Sequence, residues 1–139
     1  MAGSENEATA RVAYDAMLTR DLDRIGEVIA DDAEYRNPPT AIEPGVRRGR
    51  QEFLAALGRL LDLFDYAEFG PERVESAGEL LAVALRVRAS GSESGAPIDE
   101  TFGHLLEFRD GKLVSLQWWS SPDEAFAALR ERAAADGAG

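Results

Sequence analysis

The chain has 139 residues, of which 26 are acidic and 15 basic, and its formal net charge is −11 at pH 7. This length predicts a single domain over residues 1–139 with one hydrophobic core. The negative charge repels phosphate backbones and anionic membrane surfaces, so we expect neither a nucleic acid nor a membrane as partner. The chain has no cysteine and one histidine. This composition excludes thiolate chemistry and multi-histidine metal sites, and we expect no metal ion and no cofactor.

The first ten residues lack the apolar segment of an export signal, and no later apolar run has the length of a membrane span. We therefore expect a cytoplasmic protein. Composition predicts disorder only in residues 1–5 and 134–139.

Helical periodicity dominates the first half of the chain. Apolar residues recur at helical spacing in residues 6–18 and predict a first amphipathic helix. Asp21 is placed to cap a second, shorter helix, whose apolar stripe ends at Ile29. A third helical pattern occupies residues 49–64.

A short strand is predicted between the second and third helices. In the stretch "AEYRN" the alternation places Tyr35 and Asn37 on one face, and the two following prolines end any pairing. The basic stretch "VRRGR", residues 46–50, is interpreted as a solvated loop that leads into the third helix; an anion site at a pocket mouth is the alternative.

The second half of the chain has the pattern of strands. Residues 73–91 predict two strands joined by a turn at residues 77–78, and residues 98–109 and 113–119 predict an antiparallel hairpin. A capping box at residues 121–124 begins a short C-terminal helix. The order of elements predicts an α+β fold: a curved antiparallel sheet that forms a cone, with the three N-terminal helices packed on its concave side.

The chain resembles the nuclear transport factor 2-like family in four stretches: "AYDAML", "DLDRIGEVIADDAEYRNP", "GRQEFLAAL" and "FRDGKLVSLQWW". This family includes ketosteroid isomerase, limonene epoxide hydrolase and the SnoaL-like polyketide cyclases. The resemblance covers nearly the whole chain and implies a cone with a pocket inside it. Because the fold hosts both enzymes and non-catalytic modules, the function must be argued from the pocket.

The resemblance assigns roles to a few positions and also shows departures from the family. Tyr14 resembles the oxyanion tyrosine of ketosteroid isomerase, Asn37 falls where that enzyme has its aspartate base, and His104 falls where it has a protonated aspartate. Tyr35 and Asn37 resemble the pair that positions water in limonene epoxide hydrolase. The acid that the epoxide hydrolase and the cyclases carry in the last strand is replaced by Trp118. None of the three mechanisms transfers intact.

His104 is the most informative single residue in the sequence. Alternation in "TFGHLLEF" places it on an otherwise aromatic and aliphatic strand face. It is either a structural histidine that is hydrogen-bonded in the core or a general acid/base in a dry pocket. Burial without a charged partner lowers the pKa of an imidazole and keeps it neutral.

The predicted site combines a polar set with an apolar lining. The predicted catalytic residues are His104 as acid or base, Tyr35 and Asn37 orienting an oxygen or a water, and Tyr14 stabilising negative charge. The predicted substrate-binding residues are Trp118, Phe102, Leu106, Phe108, Phe53 and Leu57. Each polar residue has a structural alternative: Tyr14 and Tyr35 can pack in the core, Asn37 can satisfy the proline turn, and Trp118 can fill the pocket. The carboxylates considered as a second acid or base are Glu43, Asp99 and Glu100.

Three functions remain open at this point. The first is a cofactor-independent enzyme that cyclises, isomerises or opens the epoxide of a small hydrophobic oxygenated molecule. The second is a non-catalytic module that shelters a hydrophobic ligand or supplies dimerisation, and it is favoured by the missing aspartates. The third is a protein-docking domain like the transport factor that names the fold, which would need an exposed apolar patch. The chain has two tryptophans, Trp118 and Trp119, which alternate on the last strand. One is expected to face the inside of the cone, and the other the surface of a homodimer formed through the convex sheet face.

Overall fold

The computed structural model describes residues 2–39, 41, 44–91 and 95–138. The helices are α1 (Ala2–Leu18), α2 (Leu22–Val28), α3 (Arg50–Leu61) and α4 (Pro122–Ala138). The strands are β1 (Ile29–Asn37), β2 (Gly45–Arg48), β3 (Phe64–Ala77), β4 (Leu80–Gly91), β5 (Pro97–Arg109) and β6 (Lys112–Trp119). The predicted α+β class, with three helices before most of the sheet and one after it, is confirmed.

One curved sheet of six strands has the order β2-β1-β6-β5-β4-β3. Its neighbouring strands are antiparallel except β1 and β6, which run parallel. The prediction of a purely antiparallel sheet was wrong at this one pair. Parallel neighbours need a long connection instead of a hairpin, and here β2, α3, β3, β4 and β5 lie between the two strands in the chain.

Two residues change element relative to the sequence prediction. Asp21 caps α2 as predicted, because its side chain accepts a hydrogen bond from the backbone N–H of Arg24. Ile29, expected on the helical stripe, instead begins β1, and Phe64, expected at the end of the third helix, begins β3. Branched and aromatic side chains favour strands, and both residues keep their contact with the core.

The basic stretch after the prolines is partly a strand and not a solvated loop. β2 pairs antiparallel with β1, placing Arg47 opposite Tyr35 and Gly45 opposite Asn37. The prolines end β1 as predicted, but the chain returns along the same edge and continues the sheet. This pairing covers backbone groups of β1 that an open edge would expose.

The C-terminal helix is longer than predicted and lies on the outer face of the sheet. α4 has 17 residues, the same number as α1. It packs closely over Gly103, where an added Cβ would lie 2.5 Å from the carbonyl oxygen of Ser121 and 2.7 Å from the Cβ of Ala125. Phe126 and Leu129 cover outward-facing apolar residues of β4 and β5. The sheet therefore carries helices on both faces, with α4 on the outer one.

Helix spans parts of both terminal segments for which composition predicts disorder. α1 begins at Ala2 and α4 ends at Ala138. The disorder of residues 1–5 and 134–139 in solution stays a prediction. In the described part of the chain, no helix is both long enough and apolar enough to cross a membrane.

The part of the outer face that α4 leaves uncovered is charged. Ion pairs join Asp32 to Arg109 at 2.9 Å, Glu34 to Arg36 at 2.9 Å and Glu107 to Arg132 at 3.1 Å. The last of these pairs is made by a residue of α4. The homodimer through this convex face stays a prediction.

The inner face of the sheet follows the predicted alternation. On β4 the side chains of Leu81, Val83, Leu85 and Val87 belong to the core beneath the N-terminal helices. On β5, Leu106 and Phe108 belong to the same core. His104 lies on the same face of the strand and is fully buried. The strand register thus positions the site.

Candidate functional site

A cavity of about 610 Å³ lies between α3 and the inner face of the sheet. Its volume falls within the range of pockets that hold small organic molecules. Aromatic side chains form much of its wall: Tyr35, Phe64, Phe102, Trp118 and Trp119. Aliphatic residues of α3, β4 and β5 complete the apolar lining. The cavity thus suits a largely apolar guest.

Four of the predicted site residues line this cavity: Tyr35, Asn37, Phe102 and Trp118. The indole Nε1 of Trp118 donates a hydrogen bond to the hydroxyl oxygen of Tyr35 at 2.9 Å. Phe102 supports Trp118 edge to face, with ring centroids 5.9 Å apart, and Phe53 supports Tyr35 in the same way at 5.3 Å. A tyrosine oxygen that accepts a hydrogen bond from an indole is held in place by that bond. The wall therefore presents an oriented polar group within an aromatic surface.

The other two predicted catalytic residues form a separate, buried pair. Tyr14 from α1 lies with its hydroxyl oxygen 2.8 Å from Nδ1 of His104 on β5. Their exposed fractions are 4% and 0%, and neither is among the described residues that line the cavity. Burial raises the pKa of Tyr14 and lowers the pKa of His104 to about 3. Both side chains are therefore neutral at ordinary pH, as the sequence predicted for the imidazole.

Trp118 lies between the buried pair and the cavity. It is the cross-strand neighbour of His104 in the register of β5 and β6. Its indole meets the imidazole edge to face at a centroid separation of 3.8 Å and an interplanar angle of 86°. The Nε2 atom of His104 is buried and has no hydrogen-bond partner among the described residues. The predicted polar residues are thus linked through Trp118 but do not all face one space.

The remaining predicted substrate-binding residues lie in the core. Phe53, Leu57, Leu106 and Phe108 surround, together with Tyr14 and other apolar residues, a space of only about 20 Å³. A space of that size is too small for an organic ligand. These four residues fill the closed end of the cone.

The structure separates the three candidate carboxylates. Glu100 lines the cavity. Its neighbour Asp99 pairs on the surface with Arg86 through two hydrogen bonds of 2.9 and 2.8 Å, and the Arg86 guanidinium lowers the pKa of that carboxyl group. Glu43 lies outside the described residues. The alternation that places Phe102 inward, continued by two residues, already indicated Glu100 rather than Asp99.

The profile of the SnoaL-like domain family matches residues 10–116. The chain belongs to this family. Its fold is shared with solved structures of low sequence identity, and no curated protein matches the chain. At such identity the structural likeness shows the fold and does not transfer an activity.

Three of these structures illustrate how widely the SnoaL-like fold is used. A nuclear transport factor 2-like protein of unknown function from Burkholderia pseudomallei has 21% identity and a TM-score of 0.75, covering 90% of this chain and 97% of that one. TerC, co-crystallised with polyporic acid, has 20% identity and a TM-score of 0.75, with 91% and 98% covered. An epoxide hydrolase of the limonene epoxide hydrolase-like type from M. tuberculosis has 16% identity and a TM-score of 0.71, with 93% and 92% covered.

Sequence reasoning missed two polar residues of this SnoaL-like cavity. Arg59, in the last turn of α3, and Ser120, directly after β6, both contribute to its lining. Arg59 is adjacent to Leu60 on the helix, at the edge of the apolar stripe, so the helical period could have indicated it. Among the described residues, no three histidine, cysteine or acidic side chains are grouped so that they could hold a metal ion.

Proposed function

We propose that the cavity binds a small, largely apolar, oxygenated molecule and transforms it by acid/base catalysis without a cofactor. The observation that supports this most directly is the composition of the wall, which combines aromatic rings with the hydrogen-bonded Trp118–Tyr35 pair and the carboxylate of Glu100. TerC, which shares the fold, was co-crystallised with polyporic acid, and another structure of this fold is an epoxide hydrolase of the limonene epoxide hydrolase-like type. These likenesses support an organic ligand in the cavity.

Glu100 is the proton acceptor in this proposal. A carboxylate at the cavity wall takes a proton from the carbon next to a ligand carbonyl, and the electron pair of that C–H bond moves into an enolate. Tyr35 donates a hydrogen bond to the enolate oxygen, and Asn37 orients the same end of the ligand. Return of the proton to another carbon completes an isomerisation. Attack of the enolate carbon on a second carbonyl completes a cyclisation, and the new alkoxide then takes the proton.

His104 and Tyr14 have an indirect role in this proposal. The sequence suggested His104 as the acid or base, but an imidazole whose pKa burial lowers to about 3 is a weak base. It also lies behind Trp118 and outside the cavity lining. Direct proton transfer to a ligand therefore falls to Glu100, and the buried pair supports the wall.

The test is a panel of phenols, enones and epoxides, with binding followed by tryptophan fluorescence and each bound compound analysed by mass spectrometry. The Glu100→Gln variant should bind the converted compound but lower turnover about a hundredfold or more, because it removes the proton acceptor. Asp99→Asn is the matched control, since it changes the adjacent carboxylate, which faces outward. Turnover that survives in Glu100→Gln would contradict the assignment of the base.

A non-catalytic module that shelters a hydrophobic ligand is the second candidate. One observation favours it: the two residues whose pKa burial shifts most, Tyr14 and His104, lie behind the cavity wall instead of in it. In an enzyme, strongly shifted groups more often contact the substrate. Tight binding with every compound of the panel recovered intact, the reactive epoxides included, would establish this alternative.

A further inference from the structure

Four side chains form a continuous polar and aromatic series from the core to the cavity. The Tyr14 hydroxyl meets Nδ1 of His104 at 2.8 Å, the imidazole packs edge to face on Trp118, and the Trp118 indole donates to Tyr35 at 2.9 Å. Of these, Trp118 and Tyr35 line the cavity while Tyr14 and His104 do not. The series therefore begins in a region that no ligand in the cavity contacts and ends at a group that a ligand can contact.

The buried end of this series is costly for the fold. An imidazole at 0% exposure is removed from water, and its Nε2 has no hydrogen-bond partner among the described residues. A buried polar group that is only half satisfied destabilises a protein, and two apolar side chains of similar shape would fill the same space at less cost. Stability alone thus does not account for a polar pair here.

The contacts of Trp118 indicate what the pair does. His104 and Phe102 both meet the indole edge to face, at angles of 86° and 83°. These two contacts restrict the plane of the indole, and that plane sets the direction of its N–H toward Tyr35. Tyr14 in turn restricts the imidazole, because the bond to Nδ1 fixes the orientation of the ring.

We propose that Tyr14 and His104 are positioning residues, which hold the Trp118 indole so that its N–H orients the Tyr35 hydroxyl toward an oxygen of the ligand. This inference rests on the proposed function for the presence of the ligand oxygen. It assigns the specificity of the cavity, a preference for oxygenated over purely hydrocarbon aromatic guests, to residues that the guest does not touch.

The hydrogen bond between Tyr14 and His104 also implies one tautomer of the imidazole. A phenol O–H is a good donor and an unprotonated imidazole nitrogen a good acceptor, so we assign the hydroxyl of Tyr14 as donor to Nδ1. The single N–H proton of the neutral ring then lies on Nε2. Because His104 is the only histidine of the chain, ¹⁵N-labelled histidine reports this tautomer without ambiguity.

The first experiment needs no ligand. The chain has two tryptophans, so the two indole N–H signals can be assigned with a Trp119→Phe variant. Tyr14→Phe should shift the indole N–H signal of Trp118 and speed its hydrogen exchange. Tyr66→Phe is the control, since Tyr66 is an exposed tyrosine of β3 that bonds to Glu68. An unchanged Trp118 signal in folded Tyr14→Phe would overturn the positioning role.

The second experiment measures the preference of the cavity with two probes of the same shape, 2-naphthol and naphthalene, by equilibrium dialysis. The wild type should prefer 2-naphthol about tenfold, the magnitude of one net hydrogen bond. Tyr35→Phe should abolish the preference, and Tyr14→Phe should reduce it about fivefold or more. In the Tyr14→Phe/Tyr35→Phe double variant the preference should be no lower than in Tyr35→Phe alone. A Tyr14→Phe effect that persists without the Tyr35 hydroxyl would overturn the proposal, because it would reflect general distortion of the cavity.

The outcomes separate this inference from the proposed function. If neither probe nor any panel compound binds, the proposed function fails, while the indole signal still decides whether the pair positions Trp118. If Tyr14→Phe does not fold, the wild type decides: 2-naphthol should move the His104 ring signals, which lie outside the cavity, and naphthalene should move them less. Equal responses to the two probes would contradict the inference.

Discussion

The closed end of the cone and its open end are built from the same elements. At the closed end, side chains of α3, β5 and β6 such as Leu57, Leu106 and Leu116 pack around a space of about 20 Å³. At the open end, Leu60, Phe102 and Trp118 border a cavity of about 610 Å³. Leu60 lies about one turn after Leu57 on α3, and the two aromatic residues lie two or more positions from the leucines of the closed end on their strands. Both sets have the same apolar pattern in the sequence. The difference between a filled core and a cavity therefore depends on how far the helices extend over each strand.

The polar groups differ between the two ends as well. The closed end holds a dry pair, Tyr14 and His104, which burial keeps neutral. The open end holds Asn37 and Glu100 in the cavity lining, together with Tyr35, which also lines the cavity although its side chain is only 1% exposed. The histidine thus lies outside the cavity lining, whereas the carboxylate of Glu100 lies within it.

The largest expected effect compares two leucines of α3. Leu57 is 1% exposed, so Leu57→Ala leaves a void in the filled end and should lower the free energy of unfolding by about 3 kcal/mol. Leu60 borders the existing cavity, and Leu60→Ala should cost only about 1 kcal/mol, since it removes fewer contacts. Denaturant unfolding of the two variants measures both values. Equal losses would mean that the open end is packed as tightly as the closed one.

More of the fold than of the candidate site could be predicted from the sequence. Alternation alone identified the inward faces of β4 and β5, and the turns at residues 77–78 and 110–111 separated the strands. Alternation does not reveal depth, so the sequence grouped Phe102 with Leu106 although one borders the cavity and the other fills the core. That depth depends on the strand register and on where α3 ends.

The side-chain partners of His104 could not be predicted for the same physical reason. Its inward direction was predicted, and so was its neutral state. Its partner Tyr14 lies 90 positions away in the sequence, and its neighbour Trp118 is set by the pairing of β5 with β6, which contains an irregularity between Glu107 and Phe108. A contact that depends on tertiary packing and on such a shift is not encoded in any local pattern.

A second effect follows from the buried imidazole. The pKa of His104 is about 3 in the folded protein against 6.5 in its ordinary state, so the unfolded chain binds this proton first. Above pH 6.5 both the folded and the unfolded chain keep this ring neutral, so His104 does not lower the free energy of unfolding. As the pH drops from 6.5 toward 3, only the unfolded chain binds the proton, and the free energy of unfolding falls. Between pH 7 and pH 5 the free energy of unfolding of the wild type should fall by about 2 kcal/mol more than that of His104→Gln. The glutamine keeps a polar side chain at this position but does not ionise.

Two measurements check this dependence on pH. Denaturant unfolding of both proteins at several pH values gives the difference directly and cancels the contributions of the many carboxylates. The ring signals of the single histidine should not titrate between pH 8 and pH 5 in the folded protein. Parallel stability curves, or a ring that titrates near its ordinary pKa, would mean that water reaches His104 and that the closed end is not dry.

The smallest expected effect compares the two tyrosine hydroxyls. Tyr14→Phe leaves a buried nitrogen of His104 without its partner in a region closed to water and should cost about 2 kcal/mol. Tyr35→Phe leaves the indole N–H of Trp118 without its acceptor. Tyr35 is itself only 1% exposed, but Trp118 is partly buried and lines the cavity, so water can replace the bond and the cost should be about 1 kcal/mol or less. The difference between the two variants, measured by denaturant unfolding, therefore reports how dry each end of the cone is. A larger loss for Tyr35→Phe would reverse the comparison, because it would mean that the bond at the cavity wall, and not the buried pair, is the one that water cannot replace.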